Sequence, residues 1–121
     1  MKRQFSFEKL EVWQNAIDLS IDVYQLTKNF PDDEKFVLVN QMRRAALSIS
    51  SNIAEGNGRE TNNDQARFTT MAYGSLMELL NQLIFSYKLG YIYKNQLDDL
   101  RDKINHISNQ LNKLRKYQKN R

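Results

Sequence analysis

Apolar residues recur at helical spacing in four blocks, divided by short segments that carry proline, glycine or clustered acids. In the first block Leu10, Trp13, Ile17 and Tyr24, with Val12, Ala16, Leu19, Val23 and Leu26 beside them, predict a helix with a wide apolar face. Ser6 is placed to cap it, with Glu8 in the opening turn. The segment KNFPDD ends it, because Pro31 lacks a donor and restricts Phe30, while Asp32, Asp33 and Glu34 suit the positive start of a second helix. That helix is expected over about residues 33–56, up to Gly56, Asn57 and Gly58, which tolerate left-handed backbone. Thr61 with Asp64 resembles a capping box and opens a third helix, with Phe68, Met71, Ala72, Ser75, Leu76, Leu79, Leu83 and Tyr87 at helical spacing, which Gly90 ends. After YIYKN, the steps of three and four through Leu97, Leu100, Ile104, Ile107, Leu111 and Leu114 predict a fourth. Tyr93 stands where a polar N-cap would be expected. Short loops between long helices favour antiparallel neighbours, so the expected fold class is all-α, an up-down-up-down four-helix bundle.

The second block, QMRRAALSISSNIAEGNGRE, has no charge between Arg44 and Glu55. At 100° per residue, Val39, Met42, Ala46, Ile49, Ile53 and Gly56 form its core stripe, with Ala45 beside it. Arg44, Ser48, Ser51 and Glu55 share the opposite side, with Leu47 and Ala54 on a flank. Small residues there would permit close packing inside the chain's own bundle, or would let another subunit approach. Under the second reading Arg43, Arg44, Leu47, Ser48, Ser51, Ala54 and Glu55 are the candidate oligomer interface. If Arg44 and Glu55 alternate between neighbours, the contact is heterologous and closes into a ring at a fixed subunit number. Gly74 with Ser75 is a similar small spot in the third helix, where a close helix crossing would explain a glycine costing about 1 kcal/mol relative to alanine.

Length changes the picture little: 121 residues suit one domain, 1–121. Absence of cysteine removes disulfides, thiolate metal sites and a cysteine nucleophile, and leaves a reducing interior unopposed. The start MKRQFSFEKL lacks an apolar run behind its basic residues, and no uncharged run approaches the roughly 20 residues of a membrane span, so a cytoplasmic protein is expected. Charge is more informative. Of 18 Lys and Arg, five (Lys113, Arg115, Lys116, Lys119 and Arg121) fall in the acid-free segment KLRKYQKNR; the other 13 face 14 Asp and Glu, leaving about −1 on residues 1–112.

Catalytic and metal chemistry find little support. The one histidine, His106, lies outside the Leu97–Leu114 seam, so a di-iron bundle centre or a Ser-His-acid arrangement has no basis. Asp98, Asp99 and Asp102 are explained by the dipole at a helix start. EGNGR lacks the Gly-Lys-Ser/Thr ending of a phosphate loop and follows a helix instead of a strand. No enzyme, cofactor or metal site is expected.

The run Gln41, Arg43, Arg44, Ala45, Ala46, Ser48, Ile49, Asn52, Ile53, Ala54, Glu55, Gly56 resembles the signature of the small bacterial 23S ribosomal RNA intervening-sequence proteins. Leu10, Val12, Trp13, Ala16, Phe30-Pro31, Gly74-Ser75 with Glu78, and Leu89-Gly90-Tyr91 support it, over roughly residues 5–115. The resemblance implies a homopentamer of antiparallel four-helix bundles. It also implies kinship with accessory variability proteins of diversity-generating retroelements, which bind a reverse transcriptase and nucleic acid through a basic ring. That branch is strongly basic throughout, whereas here only the end of the chain is positive. Two functions are then in view. One is non-catalytic binding of nucleic acid, RNA before DNA, by Lys113, Arg115, Lys116, Lys119 and Arg121 on phosphates, with Tyr117 available to stack on a base. A solvated, frayed helix end is the plainer reading of those cations. The other function is an oligomeric scaffold for a protein partner, or an accessory factor of a reverse transcriptase, to which exposed Ile21 or Phe36 would contribute.

Overall fold

The structure, a computed structural model, describes residues 3–121. A 3₁₀ turn at Ser6–Lys9 leads into α1 (Glu11–Thr27). A second 3₁₀ turn (Asp32–Glu34) and one wide π turn (Lys35–Val39) lead into α2 (Asn40–Asn57), followed by α3 (Asn62–Lys88) and α4 (Lys94–Asn120). Among the described residues there are four α-helices and no strand.

Pairings between helices run in opposite directions along the chain. Ser20 Oγ lies 3.0 Å from the Ala46 carbonyl, while Thr27, further along α1, meets Arg43, earlier on α2. Met42 and Ser48 of α2 meet Ser86 and Ser75 of α3 in the same inverted order. Asn15 reaches Gln110 and Asp22 reaches Lys103, so α4 also runs antiparallel to α1. Each helix packs on its two neighbours in chain order, and α1–α4 is the loosest of the four seams. This is the expected up-down-up-down bundle.

The core holds the stripes expected of each helix: Leu19, Met42, Ile49, Leu76, Leu83 and Ile104 are nearly sealed from solvent. Each such side chain contributes roughly 1.5–3 kcal/mol over exposure. Several expectations fail locally. Tyr24 is 40% exposed, because its ring lies outside under the Arg43 guanidinium, 4.6 Å from the ring centroid. Met71 is also turned outward. Ser6 caps nothing; its hydroxyl accepts from Asn57 Nδ2, and it is Glu8 that closes the first turn by accepting from the Phe5 amide at 2.7 Å. At α4 the absent polar cap is replaced from the other direction, since Gln96 Oε1 accepts from the Tyr93 amide at 2.8 Å. Thr61 does cap α3, accepting from the Asp64 amide at 3.1 Å, while Asp64 turns to Arg59 and Arg67.

The glycines also divide differently. Among the described residues only Gly90 has positive φ, at +82°. It closes α3 with the paired bonds Tyr91 N–H to Ser86 carbonyl and Gly90 N–H to Tyr87 carbonyl, each 2.9 Å. Gly56 instead remains inside α2, and an added Cβ there would stand 2.7 Å from Phe68 Cβ. The second helix therefore ends without left-handed backbone, and Gly56 serves the contact with α3. At Gly74 no atom lies within 4 Å of where its Cβ would be, so no helix of the same chain makes the close crossing expected there.

Candidate functional site

The leucine seam that runs through α4 does not stop at Leu114. Its next position is Gln118, 4% exposed, whose Oε1 accepts from the Thr69 hydroxyl at 2.7 Å. Beyond it Arg121 Nη2 donates to Gln65 Oε1 (2.6 Å) and Nε to Asn62 Oδ1 (3.2 Å), and the Arg121 carbonyl accepts from Asn62 Nδ2 (2.7 Å). The basic segment is thus helical through Asn120 and docked on the start of α3, which replaces the frayed end that composition alone allowed.

That docking sorts the six candidate residues. Lys113, Lys116, Tyr117 and Arg121 border one shallow hollow of about 460 Å³, together with Asn120. Arg115 points the other way, toward α3, with Nη1 3.4 Å from Thr70 Oγ1 and its guanidinium 5.9 Å from the Tyr73 ring centroid. Lys119 is exposed, and at 100° per residue falls on the Arg115 side of the helix. Sequence reasoning missed two further cations at this end. Arg59 and Arg67 cover the Phe68 ring at 4.4 and 4.7 Å, and both pair with Asp64. Their signal was present in the spacing around the α3 start, but the acids among them hid it.

The outer face of α2 is also sorted. Arg43 turns to α1, with Nε donating to Thr27 Oγ1 (2.9 Å) and Nη2 to the Tyr24 carbonyl (3.2 Å), so it ties two helices of one protomer. Arg44, Leu47, Ser51 and Glu55 are exposed, and Ser48 and Ala54 are half-buried. Glu55 lies 3.6 Å from Arg59 on its own helix end. On the α3 side, Ser48 and Ser75 hydroxyls touch at 3.0 Å, and Arg44 and Glu78 line the same hollow. Met71, Gly74 and Glu78 continue this exposed strip along α3.

A different concavity, of about 470 Å³, opens along the loose α1–α4 seam. Asp18, Asp22, Asp99 and Asp102 wall it, with His106 at one side and Lys103 across it. Lys103 Nζ donates to Asp22 at 2.8 Å and lies 3.8 Å from Asp99. The hydrogen bond to Asp22 is the main cause that raises the Lys103 pKa; partial burial opposes it, and the charges of Asp22, Asp99 and Asp18 reinforce it. Among the described residues no group of His, Asp and Glu is arranged to hold a metal ion, and no helix is long and apolar enough to cross a membrane.

Fold and surface together define a small all-α bundle with a docked basic end and an outer face of small residues. The match to the family described as 23S rRNA-intervening sequence protein spans residues 8–113, and the chain belongs to that family. It is similar in structure to a protein with unknown function from the S23 ribosomal protein family of Bacteroides thetaiotaomicron. That likeness has a TM-score of 0.80 at 22% identity, over 87% of this chain and 98% of that one, and it shows the fold alone. No curated protein matches the chain. The family match ends at Lys113, so most of the basic segment lies beyond it.

Proposed function

We propose that this protein is a non-catalytic, cytoplasmic homo-oligomer that binds nucleic acid, RNA in the first instance, through the basic end of α4. The observation that carries the reading is the docked geometry of residues 113–121. Four cations sit on helix and the fifth, Arg121, directly follows it, all secured to α3, while the rest of the chain carries about −1. A rigid cationic face loses less entropy on meeting phosphates than a frayed tail would. Arg59 and Arg67 at the same end are engaged with Glu55 and Asp64, so the free positive charge there belongs to the end of α4.

Assembly would proceed through the strip of Arg44, Ser48, Ser51, Met71, Gly74 and Glu78. Its small centre admits a close approach, and Arg44 and Glu78 supply opposite charges. A homopentamer is the expected form. Repetition of one weakly binding basic end around a ring raises the effective concentration of each contact and so the overall affinity.

The test is fluorescence anisotropy of a labelled structured RNA across a salt series, with wild type beside Lys113→Gln/Lys116→Gln/Lys119→Gln. These lysines make none of the bonds that dock α4, so the variant should fold. Wild type is expected to bind with affinity that falls steeply with salt. The variant should bind at least tenfold more weakly, with a log–log salt slope shallower by roughly 0.7–0.9 for each phosphate it no longer neutralises. A wild type that fails to bind at low salt overturns the reading and turns attention to a protein partner.

A further inference from the structure

We infer that the hollow at the α4 end is a stacking shelf for an unpaired base, so that the nucleic acid this protein prefers is single-stranded. The inference rests on the proposed function and specifies its ligand. Lys113, Lys116, Tyr117 and Asn120 follow one another at steps of three, one and three, which places them on one face of the helix over about 10 Å. Tyr117 lies among them 61% exposed, one position before the buried Gln118 and so on the open side of the seam. The walls of the hollow are mostly carbon while its rim is cationic. Lysine stems and an aromatic ring make such a surface, with the charged heads reaching outward.

Three features suit a nucleotide more than a bare anion. First, the ring is held from one side: the Arg121 guanidinium lies 5.6 Å from its centroid and is itself fixed by Asn62 and Gln65 of α3. The rest of the ring is left open to solvent. Second, Lys113, one turn before Tyr117, and Lys116, immediately before it, share the hollow with the ring, so a base laid on Tyr117 would have its phosphates beside ammonium groups. Third, the side chains that point away offer no open ring: the Tyr73 ring beside Arg115 is half-buried, and Lys119 is simply exposed, so both suit any polyanion equally. A paired duplex keeps its base faces stacked on one another and cannot offer one to Tyr117, whereas an unpaired strand or loop can. Stacking does not depend on the sugar, so RNA and DNA strands should both use the shelf.

The experiment compares a single-stranded RNA 12-mer containing one 2-aminopurine, the same sequence as DNA, and the RNA duplex, each titrated with wild type, Tyr117→Ala and Tyr117→Phe at fixed moderate salt. Helical content at 222 nm checks that all three proteins are folded. Wild type is expected to bind both single strands at least tenfold more tightly than the duplex, and to quench 2-aminopurine. Tyr117→Ala should weaken single-strand binding roughly tenfold and abolish the quench while leaving duplex binding unchanged, and Tyr117→Phe should restore both signals. Salt-sensitive binding that ignores strandedness and is unmoved by Tyr117→Ala overturns the shelf and leaves the proposed function standing. No binding of any of the three nucleic acids overturns both.

Discussion

Gly56 and Gly74 sit inside long helices for opposite reasons. At Gly56 a methyl group would stand 2.7 Å from Phe68 Cβ and 3.3 Å from the Gln65 carbonyl, so α2 or α3 must shift to admit it. Gly56→Ala is expected to destabilise the fold by about 1–3 kcal/mol, an overpacking cost that exceeds any gain in helix propensity. At Gly74 nothing lies within 4 Å, and Gly74→Ala should stabilise the isolated chain by about 0.5–1 kcal/mol. Urea unfolding of the two variants side by side checks both signs, and a destabilised Gly74→Ala protomer would mean that some neighbour occupies that space. Sequence could read Gly56 on the core stripe, but it could not tell a glycine that ends a helix from one that admits a phenylalanine. That distinction depends on the distance between two helices. The exposed ring of Tyr24 has a similar origin, since Arg43 lies at the right height on another helix to draw it outward.

At the scale of elements, hydrophobic periodicity located all four helices, and proline, glycine and acid clusters located the breaks between them. What periodicity missed was the route from α1 to α2. Asp32 to Val39 forms a 3₁₀ turn and then a π turn, which leaves Phe36 83% exposed and Val37 58% exposed while Leu38 and Val39 point inward. This connection is tied to the α3–α4 connection by the Tyr91 hydroxyl, which donates to Glu34 Oε2 at 2.8 Å, and by the Phe30 and Tyr91 rings at 5.3 Å. Hydrogen bonding to Glu34 is the main cause that raises the Tyr91 pKa above the ordinary value of 10.0, followed by desolvation and the charges of Glu34 and Asp33. A phenol whose folded pKa is raised contributes stability that is fully present below its unfolded pKa and disappears as pH climbs through the folded one. The tie is therefore intact at neutral pH and lost as pH rises beyond the ordinary phenol range. Spectrophotometric titration at 295 nm should show one phenol ionising above pH 10 that Tyr91→Phe removes, and a variant whose titration merely scales down would refute the tie.

For the whole molecule, the strongest asymmetry is electrostatic. At the end where α1 finishes and α4 begins, Asp32, Asp33, Asp98 and Asp99 are offset by Lys28, Lys35, Lys88 and Lys94, while the cations of residues 113–121, with no acid among them, lie at the other. The basic segment was legible from composition, but its rigidity was not, because that depends on Gln118 occupying a seam position that looks polar and therefore exposed. The exposed strip proposed for assembly was legible as a small uncharged face on α2 and only half legible on α3, where a glycine inside a helix points as readily to a crossing within the chain. If the strip joins subunits, sedimentation velocity should give a species several times the 14.3 kDa of one chain, about five for a pentamer. Gly74→Arg should then disperse it without loss of helix, since the side chain has open space in the protomer; a variant that sediments as wild type moves the interface elsewhere. The Thr69–Gln118 pair carries one more consequence. The α4 seam repeats at steps of three and four, so a helix that slid one heptad along α3 would bury its leucines nearly as well as the native one. Such a slip would leave the Gln118 amide oxygen without its donor, at about 1–3 kcal/mol for an unsatisfied buried group, while the Thr69 hydroxyl would fall back on the Gln65 carbonyl 3.2 Å away. Leucines make α4 adhere; this buried polar pair, with the Arg121 bonds to Asn62 and Gln65 beyond it, works as an index pin, specifying the one register in which the basic end of the bundle is aligned with the start of α3.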